Sequence, residues 1–378
     1  MLPYIIVFLI VLFLSFCVEK QIKLGHKKTT IFIFFIIILL LSLFAGLRTV
    51  DLGYDTKLYV LNTYNFVSSG MNLGKIFSIY GMEKGFVAYS YFIYHINPNF
   101  NFLLFALNIP VNIIFVIFMY HFKDNKSIPL LTTIYYCTLY AFSFNIIRQS
   151  ISLSMFLLML IFVDKGKKIP ALTSFIIGFL FHSSMIFSII ALFIMWFSNN
   201  NKISRKYKIV SFLFIIISMI IMLISYENII NLAYNIGIIS QRYLDYLNTS
   251  SSNYRTTIDI EYSLLFLKTA ILTLAFLYYK GKNIETIEKQ KEQKWFVMLI
   301  IDYIITLLSF KLANTDRISW YLYYPAIFMF TPKLEKIFKK DKLNRSVGKI
   351  IIAGIFIIYL LEKLITNQYH ICPYRWIF

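Results

Sequence analysis

Long runs of apolar residues restrict what this chain can fold into. A helix that crosses a lipid bilayer needs roughly 20 mostly apolar residues, with a lower limit near 17. Twelve runs reach or approach this length: 2–18, 30–47, 100–121, 128–145, 150–163, 169–182, 184–197, 209–225, 262–279, 295–310, 318–332 and 348–365. They predict an all-α polytopic integral membrane protein with about 12 transmembrane helices, in which residues 1–378 form a single membrane domain.

Basic residues are distributed unevenly among the segments between these runs. Every second segment is rich in lysine, and these segments are 19–29, 122–127, 164–168, 198–208, 280–294 and 333–347. Together they hold 24 Lys and Arg, whereas the alternate segments hold 10. Because cytoplasmic loops carry an excess of basic residues, the first set is predicted to face the cytoplasm. Both termini are then extracytoplasmic, and the first run is predicted to be an uncleaved span.

Composition narrows the class of protein further. The chain is 59% hydrophobic and only 15% charged, whereas soluble domains contain about 25% charged residues. A soluble enzyme is therefore excluded. The net charge of +19 follows from topology, so it predicts no nucleic-acid partner. The three cysteines and five histidines are scattered, and we predict neither a metal nor a cofactor.

Two predicted extracytoplasmic loops are long, namely 48–99 and 226–261, and long loops often carry function. Within the first, residues 86–96 are apolar but too few to cross a membrane comfortably. Counting them as a span would reverse every later loop and destroy the charge bias. We therefore predict a re-entrant or interfacial helix there.

Arginine is concentrated on the predicted outer side. Six of the eight arginines lie there: Arg48, Arg148, Arg242, Arg255, Arg317 and Arg375. The planar guanidinium grips phosphate or carboxylate through two parallel hydrogen bonds. This distribution favours an anion-binding site on the outer side. The alternative is that the outer loops are simply rich in arginine.

The first long loop contains two candidate sites. Arg48, Asp55 and Tyr59 follow the second apolar run, and this mixture of charges and rings suits sugar and phosphate. Alternatively, Asp55 caps a short helix and Arg48 lies at the lipid headgroups. Glu83 precedes the predicted helix 86–96. It is a candidate base or sugar ligand, or it complements the helix dipole.

Arg148, Gln149 and His182 lie at predicted outer turns. An arginine at the membrane boundary is costly without a partner, so Arg148 favours a binding role, with snorkelling to the headgroups as the alternative. Histidine transfers protons near neutral pH. His182 is therefore either a candidate catalytic residue or an ordinary interfacial one.

Further charges stand near or inside the later runs. Arg317 and Arg242 are candidate anion ligands, although Arg317 can also pair locally with its neighbour Asp316. Lys268 and Asp302 are isolated charges within two apolar runs. Because charges inside a membrane generally pair, we predict a structural ion pair, with a proton relay for transport as the alternative.

These motifs and their order resemble the EpsG family, Wzy-like polymerases of bacterial polysaccharides. The motifs are R-x6-D-T-x2-Y (Arg48, Asp55, Thr56, Tyr59), E-x-G (Glu83, Gly85), I-R-Q (Arg148, Gln149), F-H-x-S (His182, Ser184) and D-R…Y-Y-P (Arg317, Pro325). The resemblance implies a GT-C-like glycosyltransferase of the bacterial cytoplasmic membrane. Such an enzyme polymerises undecaprenyl-pyrophosphate-linked repeat units at the outer face into capsule, exopolysaccharide or O-antigen. A flippase and a chain-length regulator are then implied as partners, besides membrane lipid.

The chemistry that the resemblance implies assigns roles to the candidate residues. A pyrophosphate leaving group gains negative charge in the transition state, which preorganised arginines stabilise. The predicted pyrophosphate-binding and substrate-binding residues are Arg148 and Arg317, helped by Arg48, Arg242, Tyr59 and Gln149. Asp55, Glu83 and His182 are alternative candidates for the base or for sugar contact. The other functions considered are an O-antigen-type ligase and a transporter of lipid-linked oligosaccharide or of an anionic solute.

Overall fold

The structure is a computed structural model, and the residues that it describes are mostly helical. The described residues are 1–123, 127–199, 226–235, 262–281, 286–309, 316–338, 342–367 and 370–377. Within these ranges the extended pairing consists of an isolated antiparallel bridge between Arg48 and Trp376.

The helices follow one another with short connections. The first half contains α1 (Leu2–Lys23), α2 (Lys27–Gly46), α3 (Asn62–Ser68), α4 (Leu73–Ile79), α5 (Lys84–Ile96), α6 (Phe100–His121), α7 (Ile128–Tyr135), α8 (Ala141–Ser143), α9 (Ile147–Asp164) and α10 (Lys168–Phe181). The second half contains α11 (Ser188–Asn199), α12 (Tyr226–Asn235), α13 (Tyr262–Lys280), α14 (Thr286–Ser309), α15 (Asp316–Met329) and α16 (Lys342–Ile365). Two π-helical segments, Thr56–Leu61 and Tyr136–Tyr140, run directly into α3 and α8. Two 3-10 segments, Ser183–Phe187 and Thr331–Ile337, precede α11 and α16.

Five described helices are long and apolar enough to cross a membrane. They are Leu2–Lys23, Lys27–Gly46, Phe100–His121, Ile147–Asp164 and Ser263–Lys280. The protein is therefore membrane-integral, and its described part belongs to the all-helical class. Of the twelve predicted spans, these five meet the criterion of length and composition. The predicted run 209–225 lies outside the described residues.

Several other predicted runs form helices with different limits. Runs 169–182 and 184–197 correspond to short apolar helices. Helix α14 begins inside 280–294, which was predicted to be a loop. Its charged first half is held by ion pairs, because two of its glutamates contact lysines of the second 3-10 segment. These pairs are Glu288–Lys336 and Glu292–Lys333.

The segment 48–99, which is predicted to be an extracytoplasmic loop between spans, is largely helical. It contains the first π-helical segment, α3, α4 and α5. Val67, Ile76 and Val87 form a small core of their own there. Helix α5 has 13 residues and coincides with the short helix predicted at 86–96. The described part of 226–261 is the helix α12.

Helix α6 packs against α2, α5 and α9 and helps to position α5. Pro110 lies inside α6 and has no N–H, so the carbonyl of Ala106 loses its helical partner. The hydroxyl of Tyr89, on α5, donates to that carbonyl at 2.8 Å. The proline is thus accommodated by a contact that also holds α5 against the bundle.

The two ends of the chain meet at one end of the molecule. The Tyr4 hydroxyl donates to the Ile371 carbonyl at 2.6 Å. The segment after α16 also pairs with the segment after α2, where the Thr49 N–H donates to the Arg375 carbonyl at 3.0 Å. Both termini therefore lie on the same side of the molecule, next to Arg48.

Candidate active site

Arg148 and Glu83 form an ion pair at the start of two helices. Arg148 is the second residue of α9 and is only 5% exposed. Its Nη1 donates to Glu83 Oε2 and to Met82 Sδ, the latter at 3.3 Å. Glu83 immediately precedes α5. Because a buried guanidinium is costly without a partner, this pairing explains how Arg148 is tolerated there.

Aromatic rings fix the plane of the Arg148 guanidinium. Its central carbon lies 4.1 Å from the ring centroid of Tyr59 and 6.0 Å from that of Phe86. Planar guanidinium groups stack favourably on such ring faces. Among the described residues, Arg148 Nε has no hydrogen-bond acceptor. The arginine is therefore held in place while one buried donor is left for a ligand.

Charges around Glu83 keep its carboxyl ionised. Burial by itself raises the pKa of Glu83, but Arg148 and His182 outweigh this effect. The pKa of Glu83 consequently lies below its ordinary value of 4.5. At neutral pH the residue is an anion that accepts hydrogen bonds.

His182 lies at the end of α10, where the backbone becomes extended. Its Nδ1 is 2.6 Å from Ser184 Oγ and accepts a hydrogen bond from the Ser184 N–H at 3.3 Å. Because Nδ1 is an acceptor, the neutral ring carries its proton on Nε2. In the neutral ring, Nε2 is therefore the nitrogen that acts as a donor.

Gly85 allows α5 to approach the end of α10. A Cβ atom at this position would lie 2.7 Å from Leu180 Cβ and 2.8 Å from the Leu180 carbonyl oxygen. Such distances are shorter than van der Waals contact, so a larger residue would push the two helices apart. The glycine of the E-x-G motif thus keeps Glu83 close to His182.

Arg48 lies in a second, enclosed cluster. Its side chain is fully buried, its Nη2 donates to Thr56 Oγ1 at 3.2 Å, and its guanidinium lies 4.4 Å from the ring centroid of Phe144. Burial lowers the pKa of Arg48 to about 10. Residues 370–377 run alongside it through the bridge at Trp376. Direct contact between Arg48 and a substrate would therefore require this C-terminal segment to move.

Comparison with known proteins assigns the chain to a family. A sequence model described as the EpsG family matches residues 31–376 of the 378. The chain belongs to the EpsG family. No curated protein and no solved structure gave a match. Membership of the EpsG family together with the apolar helices indicates a membrane protein of the polysaccharide-polymerase type.

Residues from four of the five motifs lie together in three dimensions. Tyr59, Glu83, Arg148 and His182 form one cluster around the ion pair. Arg48 belongs to the adjoining cluster, which meets the first through the π-helical segment that carries both Thr56 and Tyr59. Single π-helical turns are frequent at functional sites.

Four other predicted site residues have different placements. Asp55 is buried at the start of the π-helical segment, and its N–H donates to Asn145 Oδ1 at 2.9 Å. Gln149 is buried beside Arg148 on α9. Arg317 is the second residue of α15, but its side chain lies outside what the structure describes, as does all of Arg242.

Two hydroxyl-bearing residues of the site were not among the predicted site residues. Ser152 Oγ lies 2.8 Å from the hydroxyl of Tyr321, which is 3.1 Å from Ser184 Oγ. Each follows a predicted arginine by four residues, Ser152 after Arg148 and Tyr321 after Arg317. Residues four apart share a helix face, so this spacing was a usable signal.

Proposed function

We propose that this EpsG family member is a glycosyltransferase that polymerises undecaprenyl-pyrophosphate-linked oligosaccharide repeat units. The product would be capsular polysaccharide, exopolysaccharide or O-antigen, made at the outer face of the bacterial cytoplasmic membrane. Both termini would lie on that face, and the remaining predicted spans would complete a GT-C-like bundle of about 12. The observation that carries this proposal is the Arg148–Glu83 pair, set between Tyr59 and His182.

Arg148 is suited to stabilise the leaving group of such a reaction. A sugar hydroxyl of one lipid-linked unit attacks the anomeric carbon of the growing chain, and the bond from that carbon to the pyrophosphate oxygen breaks. Negative charge grows on the departing oxygen. A guanidinium that is already oriented stabilises this charge without reorganising. Arg148 meets that condition because Tyr59 stacks on its plane and its Nε donor is buried without an acceptor among the described residues.

Glu83 is our candidate for the proton acceptor. The attacking hydroxyl must lose a proton, and Glu83 is ionised at neutral pH because its pKa is lowered by Arg148 and His182. A bound pyrophosphate would compete with Glu83 for the guanidinium. Since Arg148 is one cause of the lowered pKa, this competition raises the pKa and makes Glu83 a stronger base. His182, which helps to lower that pKa, is proposed to contact the substrate sugar.

The other predicted partners follow from the same reaction. Lipid-linked oligosaccharide is the substrate, and membrane lipid surrounds the apolar helices. A flippase would supply the substrate to the outer face, and a chain-length regulator would control the product. The growing chain and the incoming unit each carry a lipid pyrophosphate, and Arg317 and Arg242 are proposed as further ligands of these two groups. Gln149 and Tyr59 are proposed to support Arg148.

The decisive experiment uses the purified protein in vesicles containing lipid-linked single repeat units. Removing one preorganised donor to a developing oxyanion lowers rates by about 10²–10³-fold, so Arg148→Ala should leave mainly single units. Arg148→Lys keeps the charge but loses the stacked plane and should also be impaired. Arg375→Ala is the matched control, because Arg375 is an exposed arginine in the C-terminal segment.

Three outcomes would contradict the proposal. Polymer of wild-type length from Arg148→Ala would show that Arg148 takes no part in the reaction. Transfer of finished chains to a different acceptor would identify a ligase. Passage of the lipid-linked unit across the vesicle membrane without a new glycosidic bond would identify a transporter.

A further inference from the structure

A row of hydroxyl groups connects His182 to the interior of the helix bundle. Ser184 Oγ lies 2.6 Å from His182 Nδ1, and the Tyr321 hydroxyl lies 3.1 Å from Ser184 Oγ. The same hydroxyl lies 2.8 Å from Ser152 Oγ. The row therefore joins the 3-10 segment after α10 to α15 and α9.

Burial gives this row a fixed geometry. Tyr321 and Ser152 are both 0% exposed, and buried hydroxyls are costly unless they are hydrogen-bonded. Tyr321 is further confined by the ring of Phe156, whose centroid lies 5.9 Å away. Because the phenol has a serine on each side, it holds the Ser184 hydroxyl in place beside the imidazole.

We propose that Tyr321 is a positioning residue that sets the hydrogen bonding of His182 through Ser184. Held by Tyr321, the Ser184 hydroxyl stays beside Nδ1, together with the Ser184 N–H. Nδ1 is then kept as an acceptor, and the ring proton is kept on Nε2. The consequence for catalysis rests on the proposed polymerase function, whereas the consequence for His182 itself does not.

The neighbouring Tyr323 offers a matched control. It lies two residues further along α15 and is also buried. Its hydroxyl has no hydrogen-bond partner among the described residues. Tyr323→Phe therefore removes a buried hydroxyl from the same helix without touching the row that leads to His182.

The first test measures His182 directly and needs no polymerase activity. Diethyl pyrocarbonate modifies unprotonated imidazole nitrogens, and mass spectrometry of peptides reports the rate at His182 separately. Loss of a hydrogen bond of ordinary net strength corresponds to a change of roughly 2- to 10-fold in the modification rate. We expect His182 to react faster by this factor in Tyr321→Phe and in Ser184→Ala, and at the wild-type rate in Tyr323→Phe. An unchanged or slower rate in Tyr321→Phe would overturn the proposal.

The second test asks whether Tyr321 acts through His182 during polymerisation. Tyr321→Phe should lower kcat and leave KM for the lipid-linked unit unchanged. In a His182→Gln background the same substitution should have no further effect. Equal losses in both backgrounds would show a merely structural role and overturn the proposal. If the wild-type protein forms no polymer, the proposed function fails, and the modification rates still decide the role of Tyr321.

Discussion

The guanidinium of Arg148 and the carboxylate of Glu83 pair across 65 positions of the chain. Their side chains are 6% and 18% exposed, so water screens the pair only weakly. The contact joins the start of α9 to the start of α5. It therefore fixes the segment 48–99 on the bundle as well as orienting a candidate catalytic group.

Breaking this pair from one side should destabilise the protein. Arg148→Ala leaves a partly buried carboxylate without its cation, and we expect the free energy of unfolding to fall by about 1–3 kcal/mol. Glu83→Ala should have a similar effect. The double variant should lose less than the sum of the two, because neither charge is then left alone. Unfolding in detergent measures all three variants, and additive losses would show that the two residues are not coupled.

The lowered pKa of Glu83 predicts how the stability of the protein depends on pH. A carboxyl whose pKa is lower in the folded than in the unfolded state stabilises the fold above its unfolded pKa, here 4.5. This stabilisation is lost as the pH falls through the lower folded value. Melting temperatures between about pH 6 and about pH 3.5 should therefore fall more steeply for the wild type than for Glu83→Gln. Parallel curves would contradict the lowered pKa.

Two glycines that flank Glu83 should respond differently to substitution. Gly85→Ala forces α5 away from Leu180, and a displacement of about 1 Å at a catalytic group costs about 100-fold in rate. We expect polymer synthesis to fall by at least 10-fold while the protein still inserts. Gly81→Ala is the control, because no atom lies within 4 Å of a Cβ built there. Similar polymer yields from the two variants would refute the importance of the close approach.

The buried pair Lys268–Asp302 is predicted to be structural. Lys268 Nζ lies 2.7 Å from Asp302 Oδ1 and 2.6 Å from Thr306 Oγ1, which confirms the pairing expected from the sequence. Removing one partner of a buried pair costs about 3–5 kcal/mol, whereas replacing both by apolar residues is often neutral. Lys268→Met should therefore reduce folded protein strongly, and Lys268→Met/Asp302→Leu should restore both folding and polymer synthesis.

A proton relay would behave differently in that experiment. The double variant would then fold normally and still be inactive, because a relay needs groups that gain and lose protons. Fluorescence-detected size-exclusion chromatography measures the folded fraction, and chain length on gels measures activity. A double variant that folds but makes no polymer would contradict the structural interpretation and support the proton relay.

Sequence alone established the features that depend on local composition and short spacing. Apolar runs identified the helices of a membrane protein, since the thickness of the bilayer sets the length of a span. The motifs that contain Arg48, Glu83, Arg148 and His182 led to the correct family. The short helix at 86–96 was also predicted, because the run is too short to cross a membrane comfortably and counting it as a span would destroy the charge bias.

Only the tertiary structure decided which of these motif residues meet and which are enclosed. Helical periodicity gives the face of a side chain on its own helix, but not the neighbour that this face packs against. The approach of α5 to α10 at Gly85 brought Glu83 near His182, and the packing of the C-terminal segment enclosed Arg48. Both arginines keep buried donors without a partner among the described residues. Their roles diverge because Arg148 lies next to a cluster of titratable groups, whereas Arg48 is covered by the end of its own chain.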